Sequence, residues 1–143
     1  MVYMKAVANR RRADRYRHDI RIRTHVVSSD EPRDTGGDDT GPSPQELLAA
    51  SLASCTAITM EMYAARKGWD VGEVEVSAEY SPAERGCPTS FRIIVRFPDH
   101  LSDEQVERLR QIAAKCPVHR TLDGEVMFTE TVERIPDAVV TQA

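Results

Sequence analysis

The chain has 143 residues, a net charge of -4, 41% hydrophobic and 29% charged residues, which fits one soluble-type domain able to bury its own core. That acidic balance gives no general attraction to nucleic acid or to an anionic membrane surface, and the expectation is that neither is a partner. Three cysteines cannot all pair within one chain. With no apolar leader after Met1, the expected compartment is a reducing cytoplasm, where thiols fill cores, bind metals or carry redox chemistry.

Residues 1–27 predict a β-hairpin. In its second half Tyr16, His18, Ile20, Ile22, Thr24 and Val26 alternate with Arg17, Asp19, Arg21, Arg23 and His25, the period of two that marks a half-buried strand. The basic cluster NRRRADRYRH at the hairpin tip carries one aromatic and reads as a solvated surface. Residues 28–43, rich in Gly, Pro, Asp and Ser, form a long loop. No Lys-Ser/Thr pair follows its glycines, and Asp38 and Asp39 would repel a phosphate.

A helix is predicted over residues 44–67. Ser43 caps it, Pro44 suits the first helical position, Glu46 completes a capping box and Gly68 stops it. From Leu47 to Met60 every face is apolar or small, so the helix is expected to be covered on all sides. One subunit of this size does not supply that cover, which points to a partner subunit. No apolar run reaches the roughly 18 residues that a membrane span needs.

Residues 73–97 predict a second hairpin, with Glu75 and Glu79 facing Arg92 and Arg96. A second helix over residues 102–116 starts at another capping box, Ser102 with Gln105, and carries Val106, Leu109, Ile112, Ala113 and Cys116 on one stripe. Pro117 is taken as its stop. A last strand is expected over residues 125–134. The order β-β-α-β-β-α-β makes the chain an α+β protein of one domain, residues 1–143.

The residues leave several readings of the cysteines open. Cys55 in its apolar helix and Cys116 on its apolar stripe are each at home as core filler, and Cys87 as an exposed loop thiol. A metal reading pairs Cys116 with His119, a C-x-x-H spacing completed by Cys55 or His25, though no second ligand pair exists and no metal or other cofactor is expected. A nucleophilic reading needs a thiolate, and hence a cation or donors near Cys55. Arg10, Arg11, Arg12, Arg33, His119 and Arg120 are the candidates.

Two stretches narrow this choice. GGDDTGPSPQELLAASLASCTAITMEMYAARKGW and KCPVHRTLDGEV together resemble the OsmC/Ohr superfamily, the osmotically induced protein C and organic hydroperoxide resistance proteins. The likeness follows the order of elements through most of the chain. It implies antiparallel sheets wrapped around long central helices in an intertwined homodimer. It also implies a peroxidatic role for Cys55, a resolving role for Cys116, and reduction of the resulting disulfide by an external dithiol. In the peroxidases of that family a glutamate before the first cysteine orients an activating arginine. Here Gln45 takes the aligned position with Glu46 one step on, and Glu46 and Arg11 are chosen for the two roles. The expected substrate is a small organic or lipid hydroperoxide, because Leu48, Leu52, Ile58 and Met62 offer it an apolar lining. The alternative is a non-catalytic protein of the same fold that holds an apolar small molecule.

Overall fold

A computed structural model describes residues 4–137. Strands β1 (Val7–Arg10), β2 (His18–Ile22) and β3 (His25–Ser29) form an antiparallel sheet in the order β1-β2-β3. The N-terminal segment expected to be a hairpin is therefore a three-stranded meander, with residues 1–3 outside the described part. The predicted long strand turns back at Arg23, whose φ is 56°, and Ile22 pairs with His25 across a two-residue turn. The register sets Ile20 opposite Val27 and Arg21 opposite Val26, so Val26 lies on the other face from Ile20. Alternation continues through the turn in the sequence by coincidence, and no glycine or asparagine marks it.

Residues 30–42 fold onto one carboxylate. Asp30, only 2% exposed, accepts bonds from the Glu31 N–H at 2.7 Å, the Thr40 N–H at 3.0 Å and the Thr40 hydroxyl at 2.6 Å. Its own N–H reaches Pro42 O at 3.1 Å, and a 3-10 turn, Arg33–Thr35, lies between. Gly37 packs directly on the Glu31 carbonyl, where a Cβ would collide. These bonds account for the run of Asp, Gly and Pro in a stretch without apolar periodicity.

Helix α1 (Pro44–Lys67) begins at the reciprocal Ser43/Glu46 capping box. It ends with Gly68 at φ 71°, where Gly68 N–H bonds Ala65 O and Trp69 N–H bonds Ala64 O, a Schellman closure. Strands β4 (Glu75–Ser81) and β5 (Ser90–Arg96) pair antiparallel with Glu75 opposite Arg96 and Glu79 opposite Arg92. Those ion pairs measure 3.1 and 4.0 Å and are well exposed, so they contribute little beyond register. Helix α2 (Asp103–Ala113) starts at the Ser102/Gln105 box, and a short helix α3 (Pro117–Leu122) follows.

One face of α1 is covered. Leu52, Thr56, Met60 and Ala64, each one turn after the last, are buried against β4, α2 and α3. Met60, Ala64, Leu101 and Leu109 form the centre of the core, with Tyr63, Trp69, Val71, Val76, Val95 and Phe97 packed around it. The opposite face of α1 is open, with Ile58 51% and Met62 59% exposed. In the single chain the helix is thus not covered on all sides. By length and composition α1 passes for a membrane span, although a uniform apolar run of that length is absent; a core helix passes the same test.

The strand expected over residues 125–134 is not formed. Residues 125–137 carry no secondary structure, and Met127, Phe128, Val132 and Ile135 are between 87% and 94% exposed. The segment has strand-like composition, but a strand exists only with a ladder partner, and none engages it among the described residues.

Candidate functional site: a thiol pair where three helices meet

Cys55 lies near the middle of α1, three residues after buried Leu52. Cys116 follows the end of α2 by one turn and caps α3, whose first residue is Pro117. The helix α3 was not expected, because Pro117 was read as a stop for one helix rather than the first residue of the next. The helix expected over residues 102–116 ends at Ala113, so Cys116 is not on its stripe but in the turn before α3, where it is completely buried, while Cys55 is half-buried. Both thiols are free, and each acts on the other's ionisation, which puts the two side chains near one another where α3 packs on α1.

A second contact fixes how the helices run. Arg108 Nε donates to the Tyr63 hydroxyl at 2.9 Å, and its guanidinium stands 5.4 Å from the Tyr63 ring centre. Tyr63 lies beyond Cys55 along α1 while Arg108 lies before Cys116, so the two segments run antiparallel.

Burial pushes the Cys55 thiol up from its ordinary value, and the neighbouring Cys116 adds to the effect; the Val118 N–H and the Thr59 hydroxyl oppose it. Burial pushes Cys116 up too. It is outweighed by donation from the Cys55 thiol and from the His119 and Val118 N–H groups, so Cys116 lies below its ordinary value. The more exposed sulfur is the one that reagents meet.

A pocket of about 460 Å³ adjoins the pair. Leu48 and Leu52 of α1, Tyr80, Phe91 and Ile93 of the β4–β5 sheet, and His119 and Leu122 of α3 line it. Leu52 is one turn before Cys55 and His119 three residues after Cys116, so the cavity lies near the pair, with neither cysteine in its lining. Ile58 and Met62, expected in the same lining, lie instead on the open face of α1.

Glu46 and Arg11 are engaged elsewhere in the described chain. The Glu46 carboxylate accepts the Ser43 N–H at 2.9 Å, and bonds from Ser43 hold its pKa below the usual carboxylate range. Arg11 Nε stands 3.4 Å from Asp14 and 3.8 Å from Asp19. No cation is among the groups acting on Cys55. For the metal reading, no group of three or more His, Cys, Asp or Glu able to hold an ion occurs among the described residues.

The fold and site define an α+β protein with a free thiol pair between helices and a half-apolar pocket beside it. Residues 36–131 match the family model of the OsmC-like proteins, and the chain belongs to that family. An uncharacterized protein of Haloferax volcanii is 28% identical over 97 residues, covering 66% of this chain and 74% of its own. Among solved structures, an organic hydroperoxide resistance protein of Legionella pneumophila superposes with a TM-score of 0.62 at 19% identity. It covers 87% of this chain and 91% of its own. OhrB of Bacillus subtilis, named for the same resistance, gives 0.59 at 22% identity over 86% and 92%. At these identities the structures speak for the fold.

Proposed function

We propose that the chain reduces organic or lipid hydroperoxides through Cys55 and Cys116, as part of defence against oxidative or osmotic stress. The observation that carries this reading is the closeness of two free cysteines from distant parts of the chain, with a partly apolar pocket lined by their neighbours Leu52 and His119. The apolar part of the substrate lies on Leu48, Leu52, Phe91 and Ile93, with the peroxide group at Cys55. The Cys55 thiolate attacks one peroxide oxygen, the O–O bond breaks, and the alkoxide leaves as the alcohol after taking a proton. Cys55 becomes a sulfenic acid. The Cys116 sulfur then attacks that of Cys55, water leaves, and a disulfide forms. An external dithiol returns it to two thiols by exchange. A reducing cytoplasm supplies such dithiols.

The working unit in this reading is a homodimer. The open face of α1 and the apolar residues of 125–137 cover each other's counterparts across two copies, the C-terminal segment gaining the ladder partner it lacks alone. Arg11 and Glu46 stay the proposed arginine and glutamate of the activating pair on the family resemblance, while in the single chain Glu46 caps α1 and Arg11 faces Asp14 and Asp19.

The test is hydroperoxide consumption by purified reduced protein with excess dithiol. Cys55→Ser abolishes turnover, and Cys116→Ser stops at the sulfenic acid, which a dimedone adduct on Cys55 reports. Full turnover in Cys55→Ser removes the reading. The pocket supports a second one, a protein that only holds a lipophile. Tight binding of a lipophilic probe with slow, unsaturable peroxide loss decides for it.

A further inference from the structure

The pocket beside the cysteines, about 460 Å³, has one acidic residue in its lining, Asp123, and no lysine or arginine. Each wall shows why. Along β4 and β5 side chains alternate between the two faces of the sheet. Tyr80, Phe91 and Ile93 turn to the pocket. Glu79 and Arg92, opposite each other in the register, therefore turn away and pair at 4.0 Å, as Glu75 and Arg96 do at 3.1 Å. Helix α1 supplies Leu48 and Leu52, four residues apart on one face, from a stretch without a charged side chain between Leu47 and Met60. On α3 His119 and Asp123 stand one turn apart and both line the pocket, while Arg120 lies outside the lining.

Asp123 closes α3 and is exposed, so it stands where the pocket opens to water. None of the ion pairs among the described residues involves it. A carboxylate in that place repels a second one brought into the same pocket, and the apolar walls opposite offer the newcomer neither a counter-charge nor a hydrogen bond. Exposure to solvent screens the repulsion and keeps it modest.

We propose that Asp123 is a specificity-determining residue: it makes the pocket select uncharged amphiphiles, and among hydroperoxides those without a carboxylate, over fatty-acid-like ligands. This names the substrate class of the function proposed above and rests on that reading, but the selectivity itself is read by binding alone. The probes are octanol and octanoate, which share a chain and contain no peroxide. Binding to the reduced protein is followed by the shift of the Ile93 methyl signals in a carbon–proton NMR titration. Low salt and about pH 8 are used, where a carboxylic acid is ionised and an ordinary imidazole is not. The parent is expected to hold octanol more tightly than octanoate. In Asp123→Asn octanoate is expected to gain about three- to tenfold in affinity, while octanol stays within about twofold.

An octanoate affinity that Asp123→Asn leaves unchanged overturns the proposal. So does an equal gain for both probes, a parent that prefers octanoate, or an Ile93 signal that neither probe moves. Should Asp123→Asn not fold, Asp123→Ser carries the same comparison. Reduction of cumene hydroperoxide by the same proteins tells the two readings apart. Selective binding without turnover removes the reaction and keeps the role of Asp123. Turnover with an octanoate affinity indifferent to Asp123 does the opposite.

Discussion

Ile58 and Met62 measure how much of the assembly rests on the open face of α1. Both are large apolar side chains a little over half exposed, at 51% and 59%. Fully burying such a side chain stabilises by about 1.5–3 kcal/mol, so covering the exposed half contributes about 1 kcal/mol each. In a two-fold dimer each residue counts twice. Ile58→Ala with Met62→Ala therefore removes on the order of 4 kcal/mol from association, which raises the dissociation constant roughly a thousandfold. The same pair makes few of the core contacts, so the melting temperature of the dissociated chain stays close to that of its parent. Sedimentation velocity over a dilution series reads the first quantity and calorimetry the second. A dimer that dissociates at the same concentration with and without the two side chains refutes the reasoning, and so does a parent protein that is monomeric at every concentration.

Asp30 gives a prediction in pH. Bonds from Thr40 and Glu31 outweigh burial and hold its pKa at about 2, below the ordinary 3.8. A depressed carboxyl contributes stability that is present above its unfolded value and is lost as pH falls toward the folded one. Chemical denaturation should show the parent losing its advantage over Asp30→Asn between about pH 4 and pH 2, and equal pH slopes in the two proteins contradict this. Leu109, with no exposed surface, lies at the centre of the core, so Leu109→Ala should cost about 3–5 kcal/mol of unfolding free energy. A loss below about 1 kcal/mol by urea titration would mean that the α1–α2 seam is looser than described. Leu48→Trp should fill the pocket beside the cysteines and slow turnover of a bulky aryl hydroperoxide by at least about tenfold while sparing a small one. Equal slowing of both places the substrate elsewhere.

The elements whose signals are local were legible in the sequence. Ser43 and Glu46, Ser102 and Gln105, and the glycine after Lys67 mark helix ends through bonds made within a few residues. The α2 stripe that buries Leu109 and Ile112 follows from periodicity alone. Other features depend on partners far away or on a choice between equivalent signs. The turn at Arg23 carries no turn residue and interrupts an alternation that runs on by accident. Pro117 begins α3 rather than ending α2, which stops at Ala113, and a proline is equally suited to either place. The segment 125–137 has the composition of a strand and no neighbour among the described residues to make it one.

In the site, the sequence placed Cys55 on its helix and put Cys116 at the end of a helix that in fact stops at Ala113, and it could not say that the two lie close, since that depends on how α1, α2 and α3 pack. The apolar lining divided: Leu48 and Leu52 face the pocket, while Ile58 and Met62 turn to the other side of the same helix. Asp30 was hidden in a loop, because the bonds that fill its oxygens come from Thr40, ten residues on.

The most direct measurement is peptide mass spectrometry on reduced protein given one equivalent of cumene hydroperoxide. The account predicts a rapid loss of two hydrogens mapped to a Cys55–Cys116 disulfide, with Cys87 left as a thiol. Both thiols remaining free, or oxidising no faster than Cys87, would contradict it.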